Sequence, residues 1–90
     1  MNVKFFATYR KIVGKGSIDI PAPRDVLGLL ELMEKSYPDF RGLLLNKEHT
    51  DKGPDVIVLV NGRHIEHLDG VHTELSEQDY VALTPLVAGG

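Results

Sequence analysis

The stretch NVKFFATYRKIVGKGSIDI, residues 2–20, opens with an alternation. Val3, Phe5, Ala7 and Tyr9 fall on one side, and Asn2, Lys4, Phe6, Thr8 and Arg10 on the other. Successive side chains of a strand point to opposite faces, so this is the pattern of a strand with one face buried. Gly14 and Gly16 suit a hairpin turn, and Ser17 to Ile20 reads as the returning strand, with Ile18 and Ile20 inward. Phe6 is the one large apolar side chain on the polar side. It is either covered by another element or exposed for a partner.

Pro21 and Pro23 end the hairpin, and Asp25 then stands ahead of apolar residues at 26, 29, 30, 33 and 37. That is helical spacing behind an N-cap residue, and it predicts a helix over 25–37, stopped by Pro38. Glu31 and Lys35 are placed to pair one turn apart on its solvent side. Gly28 costs roughly 1 kcal/mol relative to alanine inside a helix, which suggests close packing against a sheet. In residues 39–55, FRGLLL reads as a short helical turn capping the core, and NKEHTDKGPD as an exposed loop.

VIVLV, residues 56–60, reads as a strand covered on both faces or lying in the sheet interior. Asn61-Gly62 signals a tight turn into a short strand at Arg63 to about Glu66. YVALT, residues 80–84, is the last strand, with Val81 and Leu83 on one face and Tyr80, Ala82 and Thr84 on the other. The order β–β–α–β–β–β supplies one helix to cover one face of a mixed sheet of four or five strands. This is the α+β architecture called β-grasp, or ubiquitin-like, with the first and last strands as parallel central neighbours. Its expected core is Val3, Phe5, Ile18, Leu29, Leu30, Met33, Val58, Val81 and Leu83.

Composition narrows the function. Ninety residues, 42% hydrophobic and 26% charged, make one small soluble domain. A net charge of −3 without a basic run argues against nucleic acid as the main partner and favours a basic or neutral protein. The absence of cysteine excludes disulfides, thiolate metal sites and a cysteine nucleophile. No apolar run of about 18 residues and no signal-peptide pattern is present, so the expected location is the cytoplasm, with no membrane partner.

No catalytic constellation emerges. An offset of three in a strand places His64 and His67 on opposite faces, so they read as solvated histidines, and no metal site is expected. GKG lacks the spacing of a phosphate loop. Asp19, Glu31 and Glu34 read as scattered over solvent faces. Lys4, Arg10 and Arg63 are placed to rim a patch around Phe6 on the uncovered sheet face. The chain as given closes on TPLVAGG, residues 84–90. Two glycines add nothing to a core, but they are thin enough to lie extended in a narrow slot and carry a terminal carboxylate to its end. The expected organisation is a β-grasp domain over residues 1–86 and a flexible tail over 87–90.

VKFFATYRKIVG at 3–14, VNG at 60–62 and LSEQDYVALTPLVAGG at 75–90 resemble the ubiquitin-like sulfur carriers of the MoaD/ThiS type. That family includes the small subunit of molybdopterin synthase and the thiamine sulfur carrier. The resemblance implies that an activating enzyme, using ATP with magnesium, adenylates the carboxylate of Gly90. A sulfur donor then converts it to a thiocarboxylate for an acceptor enzyme such as the molybdopterin synthase large subunit. It also implies that Val87, Ala88 and Gly89 are the inserted tail and that partners dock on the open sheet face at Phe6, His64, Thr84 and Pro85. The chain itself then binds no cofactor and catalyses nothing.

This chain has Leu83-Thr84 where several molybdopterin-type relatives carry an aromatic pair, and His64 where an apolar contact is common. Its 46–55 loop is longer than in the shortest members. Other branches remain open: carriers for thiamine, cysteine or tRNA thiolation, and modifiers joined through Gly90 to lysines. Outside the family's chemistry, a β-grasp binding module with an idle tail is a further alternative.

Overall fold

A computed structural model describes residues 1–86. Five strands, β1 (Asn2–Phe5), β2 (Ser17–Asp19), β3 (Val56–Val60), β4 (Arg63–His64) and β5 (Tyr80–Pro85), form one sheet in the order β2-β1-β5-β3-β4. β1 runs parallel to β5, and every other pair is antiparallel. Two α-helices accompany the sheet: α1 (Thr8–Val13) and α2 (Val26–Ser36). The mixed five-stranded sheet with one main helix is the expected β-grasp. Among the described residues no helix is long and apolar enough to cross a membrane.

α2 forms where its signals lie. The Asp25 side chain accepts the Gly28 N–H at 2.9 Å, which satisfies one of the free donors of the first turn. Val26, Leu29, Leu30 and Met33 are buried on the sheet side with Val3, Phe5, Val58, Val81 and Leu83. A Cβ on Gly28 would meet the Asp25 carboxylate at 3.4 Å and Pro23 at 3.6 Å, so the close approach there is to the cap, where packing on the sheet was expected. Phe40, in a 3-10 turn (Pro38–Phe40), and Leu44 cap the core as fully buried side chains.

The first hairpin departs from the sequence reading. β1 stops at Phe5, and Ala7 turns the chain at φ 53° into α1, which ends at Gly14 in the left-handed conformation. The gain is the burial of Tyr9, whose ring meets Phe40 edge-to-face at 5.3 Å. Tyr9, Ile12 and Val13 keep helical spacing, so the strand expected through Arg10 gives way to a helix that covers the end of the sheet. Ile18, placed in the core by its alternation, is only half-buried, because β2 is a three-residue edge strand. Glu34, expected in solvent, is buried; its Oε2 accepts the Leu44 and Leu45 N–H groups at 3.1 and 2.9 Å. The Glu31–Lys35 pair does not form. Among the described residues the one ion pair joins the Met1 ammonium to Glu77.

Candidate functional site

α2 covers one face of the sheet, and the opposite face carries Phe6, His64 and Thr84 of the residues named for a partner. Lys4, Ala82, Leu59 and His64 stand in register across β1, β5, β3 and β4. One step along β5, Thr84 is opposite Ile57, and the Phe6 N–H donates to the Leu83 carbonyl at 3.2 Å, which brings Phe6 beside that row. Phe6 is 48% exposed while Phe5 is 1% exposed, as the alternation requires. The Lys4 ammonium lies 5.1 Å above the Tyr80 ring.

The face therefore joins Phe6, Thr84 and His64. Pro85 is opposite Val56, and by strand alternation it belongs to the helix side, where it is half-buried. Of the two readings of VIVLV, the interior strand holds: β3 lies between β5 and β4 and is not covered on both faces. Ile57 and Leu59 are half-buried on the open face, because the fold supplies one main helix and leaves no second layer for them. His64 and His67 are brought together, with ring centroids 6.3 Å apart, since Ile65–His67 is a 3-10 turn and the strand offset no longer applies. His64 Nδ1 accepts the Glu66 N–H at 3.2 Å, and no cluster of three or more metal-ligating side chains occurs among the described residues.

The tight turn between β3 and β4 is anchored to β5. Asn61 and Gly62 both take positive φ, as a two-residue hairpin turn needs. The Asp79 carboxylate accepts the Asn61 side-chain amide at 2.9 Å and the Ser76 N–H at 2.8 Å, while Asn61 Oδ1 accepts the Tyr80 N–H. The Asn61 bond, followed by that from Ser76, holds the Asp79 carboxyl below its ordinary value of 3.8. A carboxyl depressed by folding stabilises the fold above its unfolded value, and that contribution is lost as pH falls through the folded value. Asp79→Asn is therefore expected to melt earlier at neutral pH and to lose less stability than the native chain on acidification below 3.8, as followed by circular dichroism.

A concavity of about 540 Å³ lies between α2 and the following loop and is lined by Glu31, Glu34, Lys35, Arg41 and His49 among others. Its charges are mixed, and it includes none of the residues named for the tail or the partner. β5 finishes at Pro85, and the exposed Leu86 donates its N–H to the Asp55 carbonyl at 2.6 Å. Val87, Ala88, Gly89 and Gly90 lie outside the described residues.

Comparison with known proteins agrees with this geometry. Residues 3–90 match the model of the ThiS family. Small archaeal modifier protein 3 of Haloferax volcanii is 40% identical over 92 aligned residues, covering 100% of this chain and 98% of the relative. A candidate sulfur carrier protein of Archaeoglobus fulgidus is 30% identical over 80 residues, covering 87% and 89%. The solution structure of small archaeal modifier protein 1 from Methanosarcina acetivorans superposes with a TM-score of 0.85 at 28% identity, covering 99% of this chain and 94% of that one. The chain belongs to the ThiS family of ubiquitin-like proteins, the group of sulfur carriers and small archaeal modifiers.

Proposed function

We propose that this chain is a protein cosubstrate whose Gly90 carboxylate is activated and converted to a thiocarboxylate, with sulfur delivered to an acceptor enzyme of molybdopterin synthesis. The observation that carries the reading is the row of exposed Phe6 and half-buried Thr84 and Ile57 beside the end of β5. It offers a docking surface next to the strand from which residues 87–90 continue. A partner that grips this face holds the chain by a rigid sheet while the last residues enter its active site, and such positioning is a large part of what an activating enzyme must supply.

The chemistry needs no side chain of this protein. A carboxylate is a poor electrophile until one oxygen becomes a good leaving group. Attack of the carboxylate on the α-phosphorus of ATP releases pyrophosphate and makes a mixed anhydride. A donor carrying sulfur at the sulfide level then attacks the acyl carbon, and AMP leaves with the oxygen. Sulfur ends on Gly90 without any cysteine. The test is incubation with the activating enzyme of the same genome, ATP and sulfide, followed by intact-protein mass spectrometry. A mass gain of one oxygen-for-sulfur exchange supports the reading, and an unchanged mass counts against it.

A second reading is favoured by the 40% identity to a small archaeal modifier. In it the activated Gly90 is passed to lysine amines of other proteins. Tryptic peptides carrying residues 64–90, released by cleavage after Arg63, in isopeptide linkage to a lysine of another protein, recovered from cells expressing the tagged chain, would show that outcome. Both readings require the open face. Phe6→Ala is expected to weaken binding to the activating enzyme by more than about 1 kcal/mol. Its melting temperature should stay near that of the native chain, because the Phe6 side chain is half in solvent.

A further inference from the structure

Charge is distributed very unevenly along this chain. Residues 1–16 contain Lys4, Arg10, Lys11 and Lys15 and no acidic residue, whereas all 13 Asp and Glu follow, with the remaining six of the 10 Lys and Arg. The fold concentrates three of these cations. Arg10, Lys11 and Lys15, with Ala7 and Gly14, line one concavity of about 470 Å³ on α1 and the turn after it. None of the three forms an ion pair within 4.0 Å among the described residues. A Cβ on Gly16 would lie 3.4 Å from the Arg10 guanidinium carbon, so that group rests along the turn. Asp55 is the acidic neighbour of this region: it adds to burial in raising the Tyr9 phenol, and it is not within ion-pair distance of the three cations.

The position of this cluster matters as much as its charge. The concavity begins at Ala7, the residue after Phe6, and α1 also contacts β5. The basic concavity therefore borders the row of Phe6, Thr84 and Ile57. We propose that Arg10, Lys11 and Lys15 receive an acidic segment of the activating enzyme that docks on this face, so that apolar contact at Phe6 supplies grip and the cations supply steering and orientation. This rests on the reading of the open face as the partner surface. A protein whose net charge is −3 would otherwise be repelled by an acidic partner. A local cluster of three cations, without an ion pair among the described residues, reverses that field where contact occurs, and such fields act mainly on association rate.

The test measures association of the purified chain with the activating enzyme of the same genome by stopped-flow, from low to high salt, with conversion by mass spectrometry read in parallel. The combined variant Arg10→Glu, Lys11→Glu and Lys15→Glu is expected to associate at least about tenfold more slowly at low salt, with a flattened salt dependence. A control reversing Lys35, Arg41 and Lys47 to glutamate makes the same change in net charge elsewhere and should associate within about twofold of the native chain.

Unchanged melting of the first variant shows that its fold is intact; if it melts early, the milder glutamine triple variant takes its place, with an intermediate slowing expected. Equal association of native and variant chains, or equal slowing by the control, overturns the proposal. So does failure of the native chain to associate, or cluster-dependent binding of a duplex RNA with enzyme association unaffected. Normal association without thiocarboxylate formation would instead overturn the functional reading and leave this inference standing.

Discussion

Leu30→Ala is expected to destabilise the domain by roughly 2–5 kcal/mol, measured as a shift in the urea midpoint at unchanged slope. Leu30 is fully buried on the sheet side of α2, in the cluster that also contains Val3, Val58, Val81 and Leu83. Truncation removes the transfer energy of its lost methyl groups and leaves a cavity in a closely packed interior. For a domain whose whole stability is of the order of 5–15 kcal/mol, such a loss is a large share of the total. Leu32, two residues along the same helix, is 38% exposed. Leu32→Ala should stay within about 0.5 kcal/mol of the native chain, which separates core packing from helix propensity.

Changes at the end of the chain should have the opposite signature, with the fold intact and conversion lost. Deleting Gly90, or adding one residue after it, moves the reacting carbon by a whole residue, far beyond the near-attack distance of roughly 3–3.5 Å. Gly89→Val places a branched Cβ in a slot proposed to admit only backbone. Each variant should melt like the native chain, since the described core is built from residues between Met1 and Leu83. Each should give no thiocarboxylate.

How much of this was legible in the sequence follows from where the deciding contacts lie. α2 was legible because its cap and apolar stripe are local: Asp25 reaches Gly28, and 26, 29, 30 and 33 share a face. The parallel pairing of the first and last strands followed from the order of elements. α1 was missed because Tyr9 satisfies both an alternating series from Val3 and a helical series with Ile12 and Val13. What decides between them is the contact with Phe40, 31 residues away. Glu34 was misplaced for the same reason, since the amides that hold it belong to a later loop.

At the site, Phe6 was legible as a break in a pattern, whereas Ile57 and Leu59 lay in an all-apolar run whose alternation carried no sign of its open side. The cluster of Arg10, Lys11 and Lys15 was hidden by the missed helix that gathers it. The His64–His67 pair was hidden by a strand that becomes a 3-10 turn after two residues.

The most direct test of the central claim is intact-protein mass spectrometry after incubation with the activating enzyme, ATP and sulfide. The native chain is compared with the Gly90 deletion, the one-residue extension and Gly89→Val. The expected result is the mass of one oxygen-for-sulfur exchange on the native chain alone, abolished when ATP is omitted. Equal conversion of the three variants, or no conversion of a native chain that binds the enzyme, would contradict the assignment of Gly90 as the reactive residue.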